Sequence, residues 1–532
     1  MNDERVDVPL IFSDRITQPE SDKIFLARLD DIYGRAVSNY LQALVNQAIG
    51  GHPEGGTQIL YDYETQMAIT PADLDRLRSY SPSDRLGGKI AEALRSVFIG
   101  GNSEIQDNDT WLAIQHTLTD GKGTHGCRAL VERYRREDDP LQRKKLHAVL
   151  HSKDTQLAES IVSHIATHRN GAQEEGVTNI TQHILKRQFG LHLDEFSAII
   201  DQIKTAIYPI RKLVTDWVMG RYGQFNIPPY EWEYWQQQLD EKIFVKERAA
   251  LQNTDDLFDF VMKKLGMIDR KASIQIVTQC DDSIMPRCFP VNPPDHVVVI
   301  KSRHNNTVYD ATNLFHEAGH ALHCIGMSPA LPHVLRRNNT NRVWNETMAY
   351  LLEDIGIEAS VMNRPDCPVD TGFLKTARIL RYVDSMTKIL CMLSFAQAAY
   401  GETDPTIESL DQVWRKIATE YYPHQVTPQG HFDWAVLDRF SGMDPFYLVN
   451  YVYAKLCAAQ LRAYMKRAFG SLLCTEAGVF LMEQCYKPGL SKSWRQFLRD
   501  TTGKDLDPLY FYKEIQEAAP VIKQLIDNCS VF

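Results

Sequence analysis

The chain has no Cys-x-x-Cys pair, no internal repeat and no low-complexity tail, and its ten cysteines are scattered from Cys127 to Cys529. That scatter excludes a thiolate zinc ribbon and a disulfide-stapled small domain, and it suits reduced, mostly buried thiols. A long apolar run is also missing. A membrane span needs about 20 consecutive apolar residues, and the best stretch, Ile389–Tyr400, is shorter and is broken by Ser394 and Gln397. It reads as a core helix. Positive charge is in deficit: 58 Lys plus Arg stand against 68 Asp plus Glu, giving −10. Unspecific binding to nucleic acid or to an anionic membrane is therefore not expected. No apolar segment of signal type follows Met1-Asn2-Asp3-Glu4-Arg5, so a cytoplasmic location is expected. Cys529-Ser530-Val531-Phe532 has the outline of a prenylation box, but Ser530 is not aliphatic and no basic run precedes it. The match is read as coincidence.

What is present is an ordinary globular balance, 532 residues with 44% apolar and 24% charged, enough for large cores. Most of it carries helical periodicity. Ser21 can cap a helix with apolar positions at Ile24, Phe25, Leu29, Ile32 and Tyr33, and Thr70-Pro71 puts a capping residue before a proline at the first helical position. Further helices are expected over 109–118, 128–135, 141–168 and 193–218, with glycine-rich loops at 50–56, 100–102 and 121–123. The pattern changes once. Ala272–Gln279 and His296–Lys301 are short, β-branched and bounded by turn residues. A small sheet is thus expected inside a mostly α-helical protein. A soft boundary near 205 divides an N-terminal helical lobe (1–205) from a lobe holding the chemistry (206–532), unless the two form one continuous body.

The segment after the sheet carries the chemistry. His316 and His320, in Leu314-Phe315-His316-Glu317-Ala318-Gly319-His320, are four apart on a helical pattern, so both imidazoles can face one ion. Glu317 is placed to act as general base on a metal-held water. A third ligand is needed, and its position decides the class. A metzincin would need glycine three and histidine six residues after His320, where this chain has His323 and Gly326. The remaining route is a glutamate on a following helix: Glu346, 26 residues beyond His320. Glu353, two turns further on, can hold a ligand histidine from behind, with Asp354 as the alternative. Three protein ligands leave a fourth position open, as in a catalytic zinc site, and one zinc per chain is expected. Asn345-Glu346-Thr347 is formally a glycan acceptor, and a glycan there would block the site.

These residues resemble the thimet oligopeptidase and oligoendopeptidase F family of gluzincin-type zinc metallopeptidases. The likeness extends to Pro445-Phe446-Tyr447-Leu448-Val449-Asn450-Tyr451-Val452-Tyr453-Ala454, which is similar to that family's tyrosine-rich segment. It implies a mostly α-helical, two-lobed body with a deep substrate channel and the small sheet beside the zinc-binding helix. It also implies that Tyr451, then Tyr447, hold the scissile carbonyl with a histidine, His431 ahead of His424. The substrate backbone would pair with an edge strand at His296–Lys301, through Val298, Val299 and Ile300. Pro445 and Met285-Pro286-Arg287-Cys288-Phe289 depart from the family pattern. Without the zinc motif, Tyr447, Tyr451 and Tyr453 would read as a packed helix face, and Tyr453 is left as core.

The function expected from these features is zinc-dependent hydrolysis of internal bonds in short peptides, with no nucleic-acid or membrane partner. The alternatives are a precursor-specific processing peptidase or a metallocarboxypeptidase of the thermostable zinc type. The latter's usual His-Glu-Ser-Gln signature is replaced here by Asn345-Glu346-Thr347-Met348. A catalytically silent peptide binder would have no need of Glu317. Tyr230–Trp235 reads as helix packing, and Arg303, His304 and His323 as solvated or structural.

Overall fold

The computed structural model describes residues 20–50, 69–80, 90–91, 93–94, 118–119, 124–125, 127–174, 176–244, 254–278, 286–301, 308–337, 342–362, 371–436 and 446–530. Expected features at 51–56, 100–102, 109–117 and 121–123, with Arg303, His304 and Pro445, lie outside them. The fold is mostly α-helical. Its helices include α1 (Glu20–Gly50), α2 (Pro140–Leu150), α3 (Leu193–Tyr222), α4 (Val308–Gly326), α5 (Arg342–Met362), α6 (Thr371–Gly401), α7 (Leu448–Phe469) and α8 (Leu509–Ser530). No described helix is long and apolar enough to cross a membrane.

Local chemistry sets several of these ends. Thr70 and Asp73 form a capping box ahead of Pro71–Arg78: the Thr70 hydroxyl accepts from the Asp73 N–H at 3.2 Å, and Asp73 accepts from the Thr70 N–H at 2.9 Å. Asp139 caps α2, with Pro140 in the first turn where a missing N–H is harmless. The helix expected over 141–168 is two helices, because the chain turns at His151–Lys153 before Asp154–Glu174 begins.

The chain does not divide at 205, which lies inside α3. Two compact units are each assembled from three segments: Met1–Asn102, Arg248–Cys367 and Ala454–Asp507 make one, and Ser103–Glu247, Pro368–Tyr453 and Pro508–Phe532 the other. Two lobes read as consecutive stretches of sequence are thus replaced by interleaved ones.

In the first unit, Phe25, Leu26, Leu29, Ile32 and Tyr33 of α1 pack with Leu77, Leu94, Val334 and Leu335. Ile24, expected on that face, is exposed. The unit also holds a three-stranded sheet. Besides the pair β1 (Leu118–Thr119) and β2 (Thr124–His125) elsewhere in the chain, the strands are β3 (Ile274–Thr278), β4 (Arg287–Asn292) and β5 (His296–Lys301). β5 lies in the middle, parallel to β3 and antiparallel to β4. Val297 through Lys301 are all buried, as suits a strand covered on both faces.

Candidate metal centre

The site begins with a close approach of α4 and α5. A Cβ added to Gly319 would meet the Ala349 Cα at 2.6 Å and the Met348 carbonyl oxygen at 2.8 Å. Only glycine fits there, so the bare position inside His316-Glu317-Ala318-Gly319-His320 brings the two backbones together. Leu314, Phe315, Ala318, Ala321 and Leu322 are buried and fix how α4 is rotated.

That contact brings Glu346 of α5 to the two histidines. Glu346 Oε2 is 3.3 Å from His316 Nε2 and 3.7 Å from His320 Nε2, and the imidazole rings stand 5.0 Å apart at 88°. One ligand atom from each of the three residues lies within 4.8 Å of the others. Atoms bound at about 2.0–2.1 Å to one tetrahedral ion stand about 3.3 Å apart, so this donor set fits a zinc-sized ion. Two imidazoles and one carboxylate are also the donors that zinc takes.

Behind this triangle, His316 Nδ1 is 2.7 Å from Glu353 Oε1. Donation from Nδ1 to that carboxylate leaves the Nε2 lone pair facing Glu346. Asp354, the alternative for this position, is buried against Arg462 instead. Burial alone would strip the His316 proton, but hydrogen bonds to Glu346 and Glu353 outweigh it and raise the pKa well above the usual imidazole value. The same two carboxylates create the negative field that a divalent cation requires. The Tyr350 ring meets His316 edge-on at 5.2 Å, and Lys455 Nζ lies 3.7 Å over Tyr350.

Glu317 stands beside the triangle. Burial raises its pKa, offset in part by His316 and His320, raised further by Glu346 and lowered by a hydrogen bond from the Cys288 backbone N–H of β4. Its carboxylate is thus both fixed in direction and made a better proton acceptor. His323 is not solvated. It is fully buried, its Nδ1 is 3.0 Å from Asn345 Oδ1, and burial pushes its pKa down to about 4.

One expectation is overturned. Substrate cannot pair with Val298, Val299 and Ile300, because β5 is the central strand and both its edges are hydrogen-bonded to β3 and β4. The strand edge next to Glu317 belongs to β4.

The remaining predicted residues lie in the second unit. Tyr447 and Tyr451 are half-buried, with rings 5.4 Å apart at 66°, whereas Tyr453 is fully buried. In the run Tyr230–Trp235, Trp232 and Tyr234 are packed, and Glu231 is locked to buried Arg143 at 2.7 Å. His431 stacks on His151 at 4.6 Å and on His147 at 5.3 Å, while the His424 carbonyl accepts from the Ile227 N–H at 2.8 Å. Burial, then the His151 and His431 rings, push the His147 pKa down to about 2.

Sequence reasoning missed Gly319, Tyr350, Lys455, the Cys288 N–H and the pair His147–His151. Tyr350, four residues after Glu346, and His151, four after His147, carried a helical-spacing signal. Lys455 and Cys288 arrive from distant segments and carried none.

No protein-family model matches the chain, and no curated protein matches it in sequence. Solved structures do. The chain is similar to metallocarboxypeptidase 1 of Trypanosoma cruzi, with a TM-score of 0.62 and 14% identity over 93% of this chain and 99% of that one. It is similar to the M32 carboxypeptidase of Deinococcus radiodurans R1, with a TM-score of 0.59 and 10% identity over 95% and 100%. The crystal structure of BsuCP matches at 0.56 and 15% over 95% and 99%. At these identities the likeness is one of fold, and it runs through nearly the whole of each chain.

Proposed function

We propose that the protein is a zinc metallopeptidase that shortens small peptides from their C-terminal end. The observation that carries the peptidase reading is the triangle of His316, His320 and Glu346 donors with Glu317 beside it. The carboxypeptidase mode is supported by the whole-length fold likeness to the carboxypeptidases above. Cleavage of internal bonds, as in the oligoendopeptidases, is the second reading. The tyrosine segment and Asn345-Glu346-Thr347-Met348 favour it.

In this reading His316 and His320 hold the ion through imidazole nitrogen and Glu346 through a carboxylate oxygen. Zinc bound there supplies Lewis acidity, polarising the scissile carbonyl and lowering the pKa of water. Glu317 accepts the proton of the attacking water and returns it to the leaving amine. The Cys288 N–H holds that carboxylate, and Glu353 keeps His316 in the tautomer whose Nε2 is free. Tyr451, with Tyr447 as a further candidate, donates to the developing oxyanion, whereas His431 is taken up by its stacking on His147 and His151. The tyrosine assignment rests on the sequence segment. The substrates are short peptides met in the cytoplasm, with no nucleic-acid or membrane partner.

The test is mass spectrometry of a defined peptide mixture after incubation with the wild type and with Glu317→Gln. Stepwise loss of C-terminal residues, absent in the variant, is the expected result. Internal cuts absent in the variant would move the assignment to the oligoendopeptidase. Equal cleavage by Glu317→Gln would remove Glu317 as the base, and no cleavage by metal-loaded wild type would sink the peptidase reading.

A further inference from the structure

The second unit holds another group of imidazoles that the peptidase reading does not explain. His147 is in the last turn of α2, and His151 is the residue that closes this helix. Four positions apart, they bring their rings to 4.2 Å. His431 is carried in by the turn ahead of the short helix Asp433–Val436 and stacks against both. One ring nitrogen from each of the three lies within 4.8 Å of the others. His147 and His151 are buried, and the buried His431 Nδ1 has no hydrogen-bond partner among the described residues.

The surroundings are those of metal ligands. His151 Nδ1 is 2.6 Å from Asp154 Oδ2, so this ring is oriented from behind by a carboxylate and its Nε2 faces inward. The same Asp154 oxygen accepts the Phe432 N–H at 2.6 Å, tying the turn that bears His431 to the end of α2. Asp433 Oδ1 lies 3.4 Å from His151 Nε2, close to the edge length of about 3.3 Å for two ligands of one tetrahedral ion. The three rings pressed together leave the buried His431 Nδ1 without a hydrogen-bond partner among the described residues, an arrangement that costs about 1–3 kcal/mol for such a group. Two adjacent carboxylates, Asp154 and Asp433, balance a divalent charge.

We infer that His147, His151 and His431, closed by Asp433, form a second site for a divalent transition ion, zinc by choice of donors, which fastens the turn at 427–433 to α2. Three imidazoles and one carboxylate suit Zn²⁺, Co²⁺ or Ni²⁺. With four protein donors the site is of the structural kind, without an open position for substrate.

The test counts metal in the full-length chain after stripping with a chelator, reloading with Zn²⁺ and desalting. The wild type is expected to retain two zinc per chain, His147→Gln one, His316→Ala one, and the double variant none. The zinc-loaded His147→Gln chain is also expected to melt at a lower temperature than the loaded wild type. One zinc in the wild type that a folded His147→Gln chain keeps and His316→Ala loses would overturn the inference, and so would two in a folded His147→Gln chain. If His147→Gln does not fold, as judged by circular dichroism, His431→Gln carries the same count. Two zinc retained by His316→Ala would instead count against the α4–α5 site, so the two assignments fail separately.

Discussion

Gly319 and Ala349 touch so closely that a methyl group on the first would lie 2.6 Å from the Cα of the second. Because His316 and Glu346 are each three residues from this contact, its spacing sets the distance between the candidate ligands of the two helices. Gly319→Ala must push α4 from α5, and overpacking of this kind costs about 1–3 kcal/mol. The variant is expected to melt earlier and to bind zinc at least tenfold more weakly. Gly220→Ala is the control, since Gly220 lies in helix α3 with nothing within 4 Å, and it is expected to be neutral or slightly stabilising. Unchanged zinc affinity in Gly319→Ala would show that the contact does not set the ligand geometry.

In the proposed zinc site Glu353 touches His316 and none of the other candidate ligands' donor atoms named above, so its proposed role is positioning. Removing the carboxylate leaves His316 Nδ1 without its 2.7 Å partner and frees the ring to turn or to change tautomer. Such supports are worth about 10–100-fold in metal affinity. Glu353→Ala is expected to lose zinc affinity by that factor, and Glu353→Gln, which can still accept a hydrogen bond, to recover part of it. Equal affinities in all three proteins would reduce Glu353 to a packing residue.

The helical skeleton was legible in the sequence wherever capping chemistry or period spoke plainly, as at Thr70-Pro71 and in the spacing of His316, Glu317, His320, Glu346 and Glu353. Glu346 could be singled out as the third candidate ligand, and it does lie beside the two histidines, because helical spacing and loop length constrain a short-range problem. The sheet was legible as strands and not as an order. Even so, Val297-Val298-Val299-Ile300 is an unbroken apolar run, the mark of a strand buried on both faces, and so argued for the centre and against an edge. Interleaving of the two units could not be read at all, because it depends on contacts between segments hundreds of residues apart. For the same reason Lys455 over Tyr350 and the Cys288 N–H on Glu317 left no trace in local pattern.

Tyr451 and Tyr453 lie two residues apart and differ in surroundings, the first half-buried and the second fully buried. If Tyr451 donates to the developing oxyanion, Tyr451→Phe should lower kcat by roughly 10²–10³, with little change in melting temperature or zinc content. Tyr453→Phe should leave kcat within about a factor of two. A fully active Tyr451→Phe would return Tyr451 to the packing of its helix.

Asp30 supplies a pH signature remote from the metal centre. It is almost wholly buried, and its two oxygens accept the His333 and Val334 N–H groups at 2.7 and 2.8 Å, capping the helix His333–Arg337. Burial raises its pKa from 3.8 to about 6, against the pull of those two N–H groups and of Arg336 and Arg337. Between these values the folded chain holds more protons on Asp30 than the unfolded chain does. Stability from this group is therefore greatest below the unfolded pKa and is lost as pH rises through the folded one, by up to about 3 kcal/mol. Asp30→Asn removes the titration. Urea denaturation of both proteins from pH 4 to pH 7 should show the wild type losing stability relative to the variant between about 4 and 6, with parallel behaviour above that window. Curves that stay parallel throughout would mean that Asp30 keeps an ordinary carboxylate pKa in the fold.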